Sequence, residues 1–516
     1  MEKENKRNVP VCSNNPLIAK AGDVLRHVFG YDSFRPGQKR VISALLAHQD
    51  VFAMMPTGSG KSICYQIPGY LLPGLVLIVS PLLSLMEDQV VSLRRAGEKK
   101  VRALSSMLSF QERVRVLKHL DEFRFLFISP EMLQKPSVLS ALQQVKVSLF
   151  VVDEAHCISQ WGHEFRPDYM HLAEAREKMG SPVCLALTAT ADRRVREDII
   201  GHLHLEKSKQ VLESVDRPNI ALVVRKVKNN AEKIKRLLAL LRTAKWPAMV
   251  YCSSREWTEK LTEEIKSALD YRTAFYHGGM ASEDRRKIQN QFLDGELDVL
   301  CCTNAFGMGI NKSDVRLIVH FHYPAHLNAY LQEIGRAGRD GGQSLAVLYY
   351  SEEDDRLPVS LIDSNYPDET MLRNVLIRLD QGQLQTEDEH QFMTLLQSEG
   401  VTEVAARFIL EQVKKKPDKK PYLSTFDDCL RLVKERRARQ LDDLSKMRRW
   451  IRGTDCRRKS CLHFFGEKLS WRPRLCCDRC GLEIKDFQRR ETDRSGMCFE
   501  LNWERRLRRL LIGRNR

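Results

Sequence analysis

The chain has 516 residues, 43% of them hydrophobic, and its 83 basic against 67 acidic residues leave a net charge of +16. That length holds roughly three domains, and the basic excess favours polyanionic partners. A membrane span is excluded, because the longest uncharged stretch, 63–86, carries Pro68, Pro73 and Pro81 and splits into helix, turn and strand.

The first ten residues lack the apolar core of a signal peptide. From about residue 22 to 350 short apolar strands alternate with helical segments, the pattern of a parallel α/β fold. An apolar run ending at Ala53 leads into Met54-Met55-Pro56-Thr57-Gly58-Ser59-Gly60-Lys61-Ser62 and then a helix-forming segment. Strand, loop and helix in that order suit a phosphate-binding loop. Glycines let main-chain N–H groups curl around phosphate oxygens, Lys61 reaches the β- and γ-phosphates and Ser62 touches Mg²⁺. Met55 stands where the strict pattern has its first glycine.

Further strands are expected at 75–80, 125–129, 149–153 and 183–188. The third of these delivers Asp153-Glu154 to the carboxyl edge of a sheet. There Asp153 can hold Mg²⁺ through water and Glu154 can polarise the attacking water. Two turns that follow strands, Ser80-Pro81-Leu82-Leu83-Ser84-Leu85-Met86 and Ser129-Pro130-Glu131, offer small hydroxyls that suit phosphate oxygens. Ordinary strand-to-helix turns account for them equally well.

A second set of strands is expected at 248–252, 273–276, 299–303, 317–321 and 344–350. The stretch 205–219 between the two sets is the expected hinge, with a deep cleft between two nucleotide-fold domains. Beyond Tyr350, residues 352–420 are charged and mostly helical, 424–452 form one or two basic amphipathic helices, and a cysteine cluster follows. The tail from 485 is too short for a further domain and reads as a single basic helix. Other cysteines among the fourteen, such as Cys184, Cys252, Cys301 and Cys302, sit inside apolar strands. They look like small core residues in a reducing compartment rather than a disulfide framework.

This series of motifs resembles that of the RecQ family of superfamily 2 DNA helicases, over about 20–350 and 424–482. Phe34-Arg35-Pro36-Gly37-Gln38 is similar to the family's motif ahead of the phosphate loop, which implies nucleotide contacts from Phe34, Arg35 and Gln38. A glutamine amide pairs with both donor and acceptor on the adenine edge. The segment 157–169 resembles the aromatic-rich loop of the family. That implies DNA coupling by Ser159, Gln160, Trp161, His163, Phe165 and Arg166, with Trp161, Phe165 and Tyr169 stacking on bases. Leu187-Thr188-Ala189-Thr190 resembles the motif that links hydrolysis to domain movement. The segments 301–311 and 332–341 match the fifth and sixth motifs, which places Gln332, Arg336 and Arg339 at the nucleotide. The two arginines are the implied fingers across the cleft, since a permanent guanidinium charge suits the transferred γ-phosphoryl.

The cysteines resemble the family's zinc-binding subdomain, and thiolates at this spacing suit a closed tetrahedral site. The second ligand is displaced from its usual place, which Arg474 and Leu475 occupy. Cys456, Cys476, Cys477 and Cys480 are the expected set, with Cys461 the alternative to Cys476. Cys461 stands about 140° round a helix from Cys456.

The resemblance implies an α/β fold of two tandem RecA-like parallel-sheet domains, 1–207 (ATP-binding) and 208–351, a helical insert at 352–423, a zinc-binding subdomain at 424–484 and a basic tail at 485–516. It implies an ATP-dependent 3′-5′ DNA helicase of repair or recombination with ATP, Mg²⁺ and Zn²⁺ as cofactors. The implied partner is single-stranded, tailed or forked DNA, together with repair or replication-fork proteins. The chain would be a monomer in the cytoplasm or nucleoid, without a membrane. The rivals are an RNA helicase or non-unwinding translocase, and a DNA-binding scaffold with a dead ATP site. Intact Lys61, Asp153, Glu154, Gln332, Arg336 and Arg339 argue against the scaffold.

Overall fold

The computed structural model describes residues 16–105, 107–159, 166–306, 312–386, 388–414 and 421–488. It divides into two units, one ending at Val215 and the other beginning at Asp216.

In the first unit the strands are β1 (Val51–Met54), β2 (Leu75–Val79), β3 (Val101–Leu104), β4 (Phe125–Ile128), β5 (Val147–Val152), β6 (Cys184–Thr188) and β7 (Lys209–Leu212). All are parallel, in the order β3-β4-β2-β5-β6-β1-β7. The central strands are apolar and buried at every position, as in Leu-Val-Leu-Ile-Val of β2, because helices cover both faces of a parallel sheet. The two outer strands, β3 and β7, lay beyond the expected set. In β7 only Val211 is buried, so an edge strand of this kind carries almost no apolar run. Its pairing with β1 keeps 209–212 in the first sheet and carries the first unit eight residues past 207.

The second unit contains β8 (Ile220–Lys226), β9 (Ala248–Tyr251), β10 (Thr273–Tyr276), β11 (Val299–Cys302), β12 (Leu317–His320) and β13 (Ser344–Tyr350). They too are parallel, in the order β10-β11-β9-β12-β13-β8. β8 begins directly after the stretch expected as a hinge.

The helices Glu369–Asp380, Glu389–Ser398 and Glu403–Lys414 close over a core of their own, built on Leu376, Phe392, Leu396 and Ile409. A single 27-residue helix, Phe426–Arg452, joins this core to the second sheet. Its start, with Phe426, Cys429 and Val433, is buried in the helical core. Its end sets Trp450 against Tyr330 with ring centroids 4.8 Å apart. The cysteine segment that follows is docked on the open edge of β8, where Leu222 N–H donates to the Cys476 carbonyl at 3.1 Å. Leu475, Leu482, Ile484 and Phe487 share the apolar core of the second sheet.

Candidate active site

β6 separates β1 from β5, and their last residues are in register, Met54 with Thr188 and Val152 with Ala186. Loops leaving these three strands therefore emerge side by side at the carboxyl edge, where open α/β sheets bind ligands. After Met54 the chain turns through Gly58 and Gly60, at φ 84° and 78°. A Cβ on Gly60 would come within 2.6 Å of Gln38 Nε2, so the close approach as well as the left-handed backbone demands glycine.

The loop is tied down from outside. Gln38 Nε2 donates to the carbonyls of Ser59 and Gly60, each at 3.0 Å, and Arg35 donates to the Gly58 carbonyl. In a trans peptide the following N–H points opposite to the carbonyl; the Ser59 N–H donates to the Pro56 carbonyl at 3.1 Å, while those of Gly60 and Lys61 face away from the bound carbonyls, as an anion cradle requires. The remaining end of the Gln38 amide accepts from Arg35 N–H at 2.9 Å. The residue expected to read adenine thus holds the phosphate loop. Phe34 packs partly buried beside the helix Gln38–Leu46, and Thr57, Ser59 and Ser62 are half-buried in the loop.

Lys61 Nζ lies 3.6 Å from Glu154 Oε1. Burial, and then the charge of Glu154, pushes Asp153 up to about 6. Glu154 takes a left-handed backbone, φ 47° and ψ 48°, which costs a non-glycine residue about 1 kcal/mol or more. The turn is held by Glu154 N–H donating to Asp153 Oδ1 at 3.0 Å. His156 Nδ1 is 3.4 Å from Glu154 Oε2 and 3.1 Å from Thr188 Oγ1. The Thr188 hydroxyl donates to the Thr190 carbonyl at 3.1 Å, so it is His156 Nδ1 that must carry the proton shared with Thr188. A chain of polar contacts thus joins the acidic pair to the segment 187–190. An ammonium, two carboxylates and a glycine-shaped N–H cradle form a donor set that fits a Mg²⁺-nucleotide polyphosphate.

In the second unit, the helix Leu327–Ile334 carries Gln332 and ends in a loop bearing Arg336 and Arg339. Glu333 Oε2 meets His320 Nε2 at 2.8 Å. Arg336 is buried. Burial, then the neighbouring Arg336 and Arg217, pushes the Arg339 guanidinium down to about 9. Arg217 was missed at the sequence level. Its guanidinium donates to the carbonyls of Gly335, Ala337 and Gly338 at 3.0, 2.9 and 2.8 Å. The only signal was an Arg-Pro-Asn triplet just ahead of an apolar run.

The Sγ atoms of Cys456, Cys476, Cys477 and Cys480 all lie within 4.8 Å of one another, with neighbours at 3.5 to 3.8 Å. The hydrogen bond from Cys476 holds the Cys477 thiol down to about 4, against the desolvation that raises it. Four convergent sulfurs fit a closed tetrahedral Zn²⁺ site. Cys461 stands outside the cluster, buried, its thiol pushed up to about 12 by that burial.

The DEAD/DEAH box helicase model matches residues 35–199, and the helicase conserved C-terminal domain model matches 231–341. The probable ATP-dependent DNA helicase RecS of Bacillus subtilis is 42% identical over 96% of this chain and 98% of its own length. The chain belongs to the RecQ family of ATP-dependent DNA helicases. The ATP-dependent DNA helicase RecQ of Haemophilus influenzae is 40% identical over 66% of this chain, a match spanning 56% of that protein. Two solved helicases share the fold. Mycobacterium smegmatis Lhr bound to ssDNA and AMP-PNP has a TM-score of 0.53 at 20% identity, covering 67% of this chain and 49% of its own. The DUF1998 helicase MrfA bound to DNA has a TM-score of 0.55 at 21% identity, covering 67% and 52%.

Within the aromatic-rich segment of this RecQ-family chain, Gln160, Trp161, His163 and Phe165 lie outside the described residues. The flanks are placed. Ser159 is buried and its hydroxyl donates to Asp198 at 2.6 Å. Arg166 Nη1 lies 3.7 Å from Glu131. Tyr169, expected to stack on bases, is instead fully buried and donates its hydroxyl to the Asp153 carbonyl at 3.1 Å. It is a tether between the loop and the acidic pair, since a buried phenol must find a partner. Ser129 caps the short helix Pro130–Leu133, a local role, whereas the Ser80 hydroxyl is buried with no hydrogen-bond partner among the described residues.

Proposed function

We propose that this chain hydrolyses ATP at Lys61, Asp153 and Glu154 and uses the cycle to move 3′ to 5′ along one DNA strand and part the duplex ahead. The observation that carries this reading is the meeting of Lys61 and Glu154, 3.6 Å apart, beside a loop whose Gly60 and Lys61 N–H groups face away from its bound carbonyls. Lys61 binds β- and γ-phosphate oxygens, Asp153 holds Mg²⁺ and Glu154 orients the attacking water and takes its proton. Mg²⁺, when bound, neutralises phosphate charge there. Arg336 and Arg339 stabilise the charge that builds on the transferred phosphoryl, and Gln332 binds the same nucleotide.

The chain Glu154–His156–Thr188–Thr190 passes a change at the acidic pair to 187–190, and Tyr169 passes it to the aromatic-rich segment, which engages single-stranded DNA. Cys456, Cys476, Cys477 and Cys480 hold Zn²⁺, which supplies a crosslink in a segment with few apolar residues of its own. No helix among the described residues is long and apolar enough to cross a membrane, and we place the protein with DNA in the cytoplasm, in repair or recombination.

The test is strand displacement on duplexes with a 3′ or a 5′ single-stranded tail, with ATP and with a non-hydrolysable analogue. Unwinding of the 3′-tailed DNA with ATP alone is expected. Unwinding only from the 5′ tail, or only of RNA, would overturn the reading.

A further inference from the structure

The helix before the loop that bears Arg336 and Arg339 ends at Ile334, and its last carbonyls are met within the turn, Leu331 by Gly335 N–H, Glu333 by Arg336 N–H and Ile334 by Ala337 N–H. The carbonyls that follow are met from a distance. Arg217, 118 residues upstream of Gly335, reaches three of them. Its planar fork spans the carbonyls of Gly335, Ala337 and Gly338, which bracket Arg336 and directly precede Arg339. Three charge-assisted bonds from one guanidinium fix both the position and the orientation of this main chain. A cation at a helix C-terminus is favourable in addition.

Asn219 completes the clamp. Its Nδ2 donates to the carbonyls of Gly338 and Gly342 at 2.8 and 2.9 Å. Gly338 is the pivot, at φ 53°, where a Cβ would meet Gly342 O at 2.4 Å and Asn219 Nδ2 at 2.5 Å. The loop therefore cannot shift without displacing 217–219.

That segment is anchored in turn by the cysteine module. Arg458, buried and two residues after Cys456, donates to the Asp216 carboxylate, to the Arg217 carbonyl at 3.0 Å and to the Ile220 carbonyl. The neighbouring Arg457 binds Asp478, the residue between Cys477 and Arg479, at 3.2 Å. The segment 456–458, which carries Cys456, Arg457 and Arg458, thus links the four-cysteine cluster to Arg217 and through it to the arginine loop.

We propose that Arg217 is a positioning residue for Arg336 and Arg339, steadied by the cysteine module through Arg458. The proposal rests on the reading of those two arginines as the groups that stabilise the transferred phosphoryl. The Arg217 guanidinium donates to three main-chain carbonyls, so its loss should act on turnover and leave ATP binding in place. A displacement of about 1 Å of a catalytic group costs roughly 10²-fold in rate.

The test uses the full chain with saturating single-stranded DNA and compares Arg217→Lys, Arg217→Gln and Arg339→Ala for kcat, KM for ATP and melting temperature. Both Arg217 variants should stay folded and lose roughly 10- to 100-fold in kcat, with KM little changed. Lysine should not rescue, because an ammonium keeps the charge but cannot bridge three carbonyls. Wild-type kcat in either variant, a loss confined to KM, or a chain too unstable to purify would overturn the positioning role. Arg458→Ala should show the same split more weakly, and wild-type kcat there would detach the cysteine module from the clamp. The two levels separate cleanly. Inactive Arg339→Ala beside fully active Arg217 variants sinks only the positioning role, whereas fully active Arg339→Ala sinks the reading of the arginines beneath it.

Discussion

The two sheets present their reactive groups in opposite ways. At the carboxyl edge of the first, Lys61, Asp153 and Glu154 stand on loops that leave strands directly. Their shape is set by residues inside or beside the same motifs, such as Glu154 N–H on Asp153 and Lys61 against Glu154. In the second unit, Arg336 and Arg339 stand on a loop after a helix, and a distant segment holds that loop by its main chain. At the first edge the reactive groups brace one another, with Gln38 and Arg35 holding the phosphate loop from only 21 to 23 residues upstream, whereas the second borrows its geometry from 118 residues away. A substitution at the first edge should therefore remove chemistry outright, while substitutions around the second should grade from loss of chemistry to loss of placement.

The sharpest break in that comparison is Lys61→Ala. It removes the cation that serves the phosphates, so ATP hydrolysis should fall to background while single-stranded DNA binding persists. Phosphate release and a DNA-binding titration on the same preparation check this, and hydrolysis near the wild-type rate would undo the phosphate-loop assignment. Next is Arg339→Ala. A lost arginine finger costs roughly 10³-fold or more in turnover, with ATP affinity nearly unchanged. An equal loss of affinity would point to ground-state binding.

The cysteine module sharpens the comparison from the other side, since it is where the borrowed geometry ends. About one Zn²⁺ per chain is expected in the wild type and close to none in Cys476→Ser or Cys477→Ser. Cys461→Ser should keep its metal, because Cys461 lies outside the four-sulfur cluster. Metal analysis of the purified variants decides this, and depletion in Cys461→Ser with full zinc in Cys476→Ser would reverse the ligand set. The module shares Leu482 and Phe487 with the core of the second sheet, so metal loss should lower the melting temperature without unfolding the chain.

The same division explains what the sequence made legible. Although β8, buried from Ile220 to Val224, was not among the expected strands, most buried strands of both sheets read directly, because a strand covered on both faces is a short unbroken apolar run. So did the phosphate loop and Asp153-Glu154, whose chemistry needs adjacent residues. The edge strand β7 did not, since a single buried valine leaves no pattern. The role of Arg217 did not either, because its partners are carbonyls, which every residue type supplies. Gln38 was expected to read adenine and Tyr169 to stack on bases, and in the structure the side chains of both donate to main-chain carbonyls. A motif tells which side chain sits near a site and not which of the nearby acceptors it takes.

Tyr169 offers the finest test of borrowed against built-in geometry, because its hydroxyl ties the first edge to the end of the aromatic-rich segment. Its ring is fully buried and its hydroxyl donates to the Asp153 carbonyl at 3.1 Å. Tyr169→Phe keeps the packing and deletes one hydrogen bond, worth about 0.5–1.5 kcal/mol of stability. If the contact only stabilises the fold, denaturant unfolding should shift by that amount, and ATPase with and without single-stranded DNA should change in proportion. If it couples the segment to the acidic pair, the DNA-stimulated rate should fall by a few-fold while the basal rate stays within error, since Lys61, Asp153 and Glu154 keep their mutual contacts. The second outcome is expected. A proportional loss in both rates would return Tyr169 to packing alone and leave His156–Thr188 as the route out of the acidic pair.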